Sequence, residues 1–437
     1  MPAPDSVSPQ PAARERIGKF PVVRKLGEGP ASEVYLCRDP FNDRDVAVKL
    51  IFPEALRDPA HRPLYRKLFL SEAALVSRLA HPHVVAVYDA VLEADSGYVV
   101  MQYVAGGTLE SRTRADNLLP VDKVVEIIFK CTRALSYANQ MGITHRGIKP
   151  GNILLSGPAE VMIADFGVSQ AAGMQTGLEP AHGSPAYASP EQVREQPLSF
   201  LTDIYSLGVV MYQLLAGQLP YRGSNYFSMV YQISNFEPPP PSSMRASVPI
   251  AVDRIVRKAM QKDQAKRYQS WEELSKDLAD AFRSENLANS SEELSDSEKF
   301  DALRSMRFFQ RFSDPELWEV VAISRWENAP AGSTLMREGD AGDFFCLLLS
   351  GSVKVTKNRK LLSVLGPGEC FGEMAYLSES GNMRGASVGA ARDSRVMRIE
   401  VAALQRASGA CRLKFDRAFI AILVERLNLA NTRLTSA

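Results

Sequence analysis

Long apolar runs are missing from this chain. The strongest candidate, Tyr205 to Tyr221 (YSLGVVMYQLLAGQLPY), is interrupted by Gln213 and Gly217 and is shorter than a bilayer requires. It reads as a buried core helix, and membrane insertion is excluded. Cysteine is scarce: Cys37, Cys131, Cys346, Cys370 and Cys411 are scattered, odd in number and without CxxC spacing. That excludes a zinc site and a disulfide framework and points to a reducing cytoplasm. Excess charge is absent too, since 51 Lys and Arg against 50 Asp and Glu leave a formal net charge of +1. Such a balance gives no electrostatic footprint for nucleic acid. Residues 1–19 lack an apolar core and read as a disordered tail, not a signal peptide.

At 437 residues the chain exceeds one core, so two or three domains are expected. FPVVRKLG, EVYLCRD and DVAVKLI within residues 20–51 have strand character and are separated by turn residues. Helical spacing follows in RPLYRKLFLSEAALVSRL, then strand character in VVAVYDAVLE and SGYVVMQYV. From 121 to 283 the pattern is mainly helical, apart from short strand candidates at NILLS and EVMIADF. Residues 284–298 hold five acidic residues, five serines and no basic residue, the composition of a linker. From 299 to 437, two short helices with an Asp-Pro break precede several short strands with Gly-containing turns, a sandwich or barrel pattern. A final helix places Phe415, Ala418, Phe419, Ile422, Leu423 and Leu427 on one stripe, either core or a lid.

The first constellation begins with Gly27 and Gly29 in LGEGPASEV. A Gly-x-Gly turn between strands lets backbone N–H groups approach phosphate, with Val34 against a flat base. Lys49, in the apolar VAVKL, either snorkels outward or meets a charged partner, for which Glu72 is the natural candidate. Asp165 in ADFG follows a strand candidate, where its carboxylate could hold Mg²⁺ together with Asn152 and phosphate oxygens. Between them lies HRGIKPGN at 145–152, and SPE follows at 189–191.

In this order the motifs resemble a eukaryotic-type serine/threonine protein kinase domain over residues 20–283. The resemblance implies a two-lobed α+β fold that binds ATP with Mg²⁺. It places Ala47, Met101, Gln102 and Val104 around adenine, with Met101 as gatekeeper. Lys49, paired with Glu72, would meet the α and β phosphates and Lys149 the γ-phosphate, while Asn152 and Asp165 would hold the metal. It makes Asp203 the brace of the catalytic loop, and Glu191 with Arg267 a structural ion pair. One departure is decisive: Gly147 stands where the family carries the aspartate that accepts the substrate's hydroxyl proton. A positioned base contributes about 10² to 10⁴ in rate, so transfer should be crippled and nucleotide binding spared.

The second constellation is GECFGEMAYLSESGNMRGASV at 368–388. A short helix starting near Glu373 offers free N–H groups; Glu373 could accept a ribose hydroxyl and Arg384 could fork onto a phosphate oxygen. Residues 299–437 resemble a cyclic-nucleotide-binding domain, a β-barrel jelly roll with flanking helices. The resemblance implies a ligand site at Gly372, Glu373, Ala375, Arg384, Gly385 and Ala386. Gly385 lacks the hydroxyl that cyclic-GMP-selective members often carry there, so cyclic AMP is favoured. The whole reads as a cytoplasmic, bacterial signalling protein responsive to cyclic nucleotide, acting on a protein substrate or partner, with phosphotransfer weak or lost. The alternatives are a pseudokinase scaffold and a slow but genuine kinase regulated by cyclic AMP.

Overall fold

The computed structural model describes residues 15–29, 32–51, 70, 73–92, 97–157, 159–166, 185–283, 295–377 and 383–435. The chain divides into two compact units, Met1–Ser290 and Ser291–Ala437.

The first unit opens with a six-stranded antiparallel sheet of β1 (Arg16–Ile17), β2 (Phe20–Gly29), β3 (Ser32–Asp39), β4 (Arg44–Ile51), β5 (Val87–Leu92) and β6 (Gly97–Gln102), in the order β1-β2-β3-β4-β6-β5. Strand β4 is apolar on both faces because both are covered. Val46, Val48 and Leu50 pack with Phe20, Tyr35 and Tyr98, while Ala47 and Ile51 pack with Val85, Val99 and Met101. The period of two puts Lys49 on the Ala47 face, opposite Val34 on β3 and Val99 on β6. Of the helix expected before β5, residues 73–76 are described as helical and the greater part lies outside the described residues.

The remainder of this unit is mainly helical. The chain runs through α1 (Val121–Gln140), the hairpin β7 (Ile153–Leu155) and β8 (Val161–Ile163), α2 (Pro190–Val193), α3 (Phe200–Ala216), α4 (Tyr226–Asn235), α5 (Ile250–Ala259) and α6 (Trp271–Arg283). The long apolar run is the buried α3, started by the Ser199 side-chain cap and ended by Gly217 at φ +73°. Gln213 does not interrupt it. Its Oε1 accepts the Tyr187 hydroxyl at 2.6 Å, so the amide enters the core satisfied.

The second unit starts with α7 (Asp296–Ser305) and α8 (Asp314–Ile323). Ser295 and Glu298 form a capping box, which draws 296–298 out of the acidic stretch assigned to the linker and into a helix. The Asp-Pro pair lies in the first turn of α8, where a proline needs no N–H partner. Eight strands follow: β9 (Ser324–Ala329), β10 (Thr334–Met336), β11 (Phe344–Ser350), β12 (Val353–Lys357), β13 (Lys360–Leu365), β14 (Cys370–Phe371), β15 (Ser387–Ala390) and β16 (Ser394–Glu400). They form two antiparallel four-stranded sheets, β10-β15-β12-β13 and β14-β11-β16-β9, with α9 (Met374–Leu377) inserted after β14. Strands β9, β14 and β15 carry too little alternation to be read from sequence. The chain closes on α10 (Val401–Arg406) and α11 (Gly409–Thr435). Phe415 and Phe419 are buried against Phe345, but Leu427 is 61% exposed, so the expected apolar stripe ends before it. Among the described residues no helix is long and apolar enough to cross a membrane.

Candidate functional site

In the first unit, the cleft between the sheet and the β7–β8 hairpin gathers the residues of the first constellation. Val34, Val104 and Leu154 are partly buried against the cluster that contains Ala47 and Met101, giving an apolar slot for a flat ring. Leu154 was not singled out in the sequence, because it looks like any other strand leucine there. The Gln102 N–H donates to Ala86 O at 2.8 Å, so the hinge groups left for a base are the Gln102 carbonyl and the backbone of Val104. Gly27 lies in β2, and a Cβ added there would meet nothing within 4 Å, so packing does not demand glycine at this position. Gly29 ends β2, while Glu72 and Gly167 lie outside the described residues.

Lys49 Nζ donates to Asp165 Oδ2 at 2.7 Å. Burial would raise the Asp165 carboxyl, but the ammonium beside it wins and holds it below the usual carboxylate range. Asp165 sits at φ +64°, a backbone state that costs a non-glycine residue energy and is kept only where surroundings over-determine it. Asn152 donates its Nδ2 to Gly147 O at 2.8 Å, which leaves its Oδ1 for another partner. Asn152 Oδ1 and the second oxygen of Asp165 are hard donors suited to Mg²⁺. No group of three His, Cys, Asp or Glu stands together among the described residues, so a divalent ion here needs further ligands from phosphate and water.

The loop carrying Gly147 is held from below. Asp203, buried on α3, accepts the backbone N–H groups of His145 at 2.7 Å and Arg146 at 2.6 Å. Burial pushes its carboxyl up to about 7, against the pull of those two bonds. Arg146, at φ +61°, also has its carbonyl tied by Gln192 Nε2 at 2.9 Å. A Cβ built on Gly147 would lie 3.7 Å from His145 Nδ1, an ordinary contact. The backbone there has no positive φ that calls for glycine. Farther off, Arg267 forks onto Glu191 at 2.7 and 3.2 Å with both side chains buried, and Thr202 Oγ1 donates to the same carboxylate at 3.0 Å.

The second constellation meets in the second unit, between the end of β14, α9 and the segment that leads into β15. Gly372 at φ +79° is required: a Cβ there would stand 2.9 Å from Arg384 Nη1 and 2.6 Å from Met336 Cε. The buried Arg384 donates to Gly372 O at 3.1 Å and Phe344 O at 2.7 Å, with its guanidinium 4.5 Å from the Phe344 ring centroid. Glu373 is buried as well and accepts Arg426 Nη1 from α11 at 2.6 Å. Ala375 lies in α9; this four-residue helix is too short for its N-terminus to act as an anion site by itself. A Cβ on Gly385 would meet nothing within 4 Å, and Ala386 next to it is half-buried. Phe344 and Arg426 escaped the sequence reading because neither belongs to the local motif.

Comparison with known families agrees with this geometry. The family model for the protein kinase domain matches residues 20–278. The chain belongs to the protein kinase family. A second family model, for the cyclic nucleotide-binding domain, matches residues 326–408. Among curated proteins, this chain is 37% identical over 260 residues to "Serine/threonine-protein kinase PknB" of Mycobacterium leprae, covering 58% of this chain and 41% of that protein. It is 34% identical over 272 residues to "Serine/threonine-protein kinase PrkC" of Bacillus subtilis, covering 62% and 41%. The match thus spans about two fifths of the length of these relatives. Among solved structures, the crystal structure of Rad53 1-466 in complex with AMP-PNP matches with a TM-score of 0.49 at 26% identity, over 59% of this chain and 64% of that one. The chain thus carries a protein kinase domain, similar in sequence to those of bacterial serine/threonine-protein kinases, followed by a cyclic nucleotide-binding domain.

Proposed function

We propose that this protein is a cytoplasmic signalling kinase that binds Mg·ATP and cyclic AMP but transfers phosphate poorly, because Gly147 leaves its catalytic loop without a proton acceptor. The observation that carries this reading is the contrast at one position: Asp203, Asn152, Lys49 and Asp165 stand in a connected array around Gly147, which itself supplies only backbone. ATP brings the phosphoryl group and Mg²⁺ the electrostatic relief of its charge. The chain's share is positioning. Lys49 and Lys149 supply cations, Asn152 and Asp165 supply metal ligands, and the apolar slot at Ala47 and Met101 takes the base. Without a carboxylate at 147, the substrate hydroxyl is neither oriented nor relieved of its proton.

In the C-terminal domain, Glu373 would accept the ribose hydroxyl and Arg384 would turn from the carbonyls of Gly372 and Phe344 to the cyclic phosphate. That exchange replaces two neutral acceptors by one anion, which strengthens the bond. Two measurements on the full chain test the proposal. The first is transfer of labelled phosphate from ATP to a generic basic protein, with Mg²⁺ or Mn²⁺, with and without cyclic AMP. Robust transfer by wild type would overturn the impaired reading, and a scaffold predicts none in any condition. The second is calorimetry with cyclic AMP, where Arg384→Ala should weaken binding by about tenfold to a hundredfold; no heat from wild type sinks the ligand assignment.

A further inference from the structure

Glu373 is reached from far along the chain. Arg426, 53 positions later, donates its Nη1 to Glu373 Oε1 at 2.6 Å and its Nη2 to the carbonyl of Cys370. The arginine bridges the strand and the turn that carry the proposed ligand carboxylate. Among the described residues Glu373 Oε2 accepts no hydrogen bond, although the side chain is only 5% exposed. A buried carboxylate with one oxygen taken and one left over is an acceptor waiting for a donor.

The position of Arg426 on α11 adds to this. The helix is anchored upstream by Phe415 and Phe419, but Val424 and Leu427, on either side of Arg426, are exposed. The fork is thus a polar tie that joins this part of the helix to the turn at Glu373. A second polar tie lies closer to the anchor, where Tyr376 of α9 donates to Asp416 of α11 at 2.9 Å.

We infer that Arg426 is a positioning residue of the cyclic-nucleotide site: by engaging Glu373 Oε1 it holds the carboxylate still and leaves Oε2 as the acceptor for the ribose 2′-hydroxyl. This rests on the reading of Glu373 as the ribose acceptor. The guanidinium also balances the carboxylate's charge when the cyclic phosphate, a second anion, enters on Arg384. Without Arg426 a buried carboxylate would face that phosphate uncompensated.

The test compares cyclic AMP with 2′-deoxy cyclic AMP on the full chain, by calorimetry, for wild type, Arg426→Ala, Arg426→Gln and Arg426→Lys. The readout is the ratio of the two dissociation constants, which reports the 2′-hydroxyl contact and is indifferent to general loosening of the domain. Wild type should prefer cyclic AMP by about tenfold to a hundredfold, the worth of a hydrogen bond to a charged group. Arg426→Ala should bring the ratio close to one, and Arg426→Lys should keep most of it. Arg426→Gln, which drops the charge and shortens the side chain yet keeps a polar stem of three carbons, carries the same expectation as alanine should alanine fail to fold. A wild-type ratio of one overturns the assignment of Glu373 itself, and this inference with it. A wild-type preference that survives unchanged in the alanine and glutamine variants overturns the role of Arg426 alone. Tighter binding of cyclic AMP in those variants does so too, since Arg426 would then be competing with the ribose.

Discussion

The backbone N–H of Gly147 donates to Nδ1 of His145 at 3.2 Å, while His145 Nε2 donates to Ala164 O at 2.9 Å. Both bonds together require the neutral imidazole protonated on Nε2. The histidine thereby ties the loop around position 147 to the residue before Asp165, and the frame that would present a base persists around a glycine.

Restoring the carboxylate is therefore expected to restore function. Gly147→Asp meets only ordinary contacts and enters a loop already braced by Asp203 and Asn152. Turnover in the phosphate-transfer assay should rise by about 10² to 10⁴, with Gly147→Asp plus Asp165→Asn as the inactive control. Equal and measurable rates for wild type and Gly147→Asp would mean that another group already does the work, and silence from both would mean a scaffold altered at more than this residue.

Nucleotide binding should depend on Lys49 and survive the glycine. Mg·ATP at one hundred times its dissociation constant is expected to stabilise wild type by about 2.7 kcal/mol. Lys49→Met removes the cation from Asp165 and should abolish that gain. Thermal melts across millimolar Mg·ATP measure it, and a flat wild-type curve contradicts the proposal.

The pH dependence of stability follows from His145. Burial lowers its pKa from the usual 6.5 to about 4, so the folded protein keeps it neutral where the unfolded chain protonates it. Between about 6.5 and 4 the unfolded state binds more protons, so stability is full above this window and is lost as pH falls through it. The loss from this residue is expected to reach about 3 kcal/mol. Urea titrations at pH 7 and pH 4.5 should show a smaller pH difference for His145→Gln than for wild type.

Arg267 and Glu191 form a fork with both charges buried. Arg267→Met leaves Glu191 charged in the core and is expected to cost about 3 to 5 kcal/mol. Adding Glu191→Gln should recover part of that cost, because the stranded charge is gone. A double-mutant cycle by urea denaturation reads the coupling, and additive effects would argue against the pair.

The sequence by itself determined the succession of parts: the glycine pair Gly27 and Gly29, which the structure places within β2 and not in a turn, the lysine strand, the HRGIKPGN loop with glycine at 147, and the glutamate and arginine of the second cassette. These were legible because turn chemistry, strand alternation and helix spacing are local, and each motif keeps its reactive groups within a few residues. The buried α3 was legible too, as an apolar run too short for a bilayer, whereas its Ser199 cap and its stop at Gly217 came only with the structure. Tertiary structure alone decided the partners. Lys49 finds Asp165 at a separation of 116 residues and Arg426 finds Glu373 across 53, and no local pattern marks either pairing. It also decided that Leu154 packs against the cluster of Ala47 and Met101 and that the apolar stripe on α11 stops short of Leu427. The physical reason is common to all four. A side chain's charge partner and burial depend on what the fold brings against it, and that is a property of the packed molecule, not of the neighbouring letters.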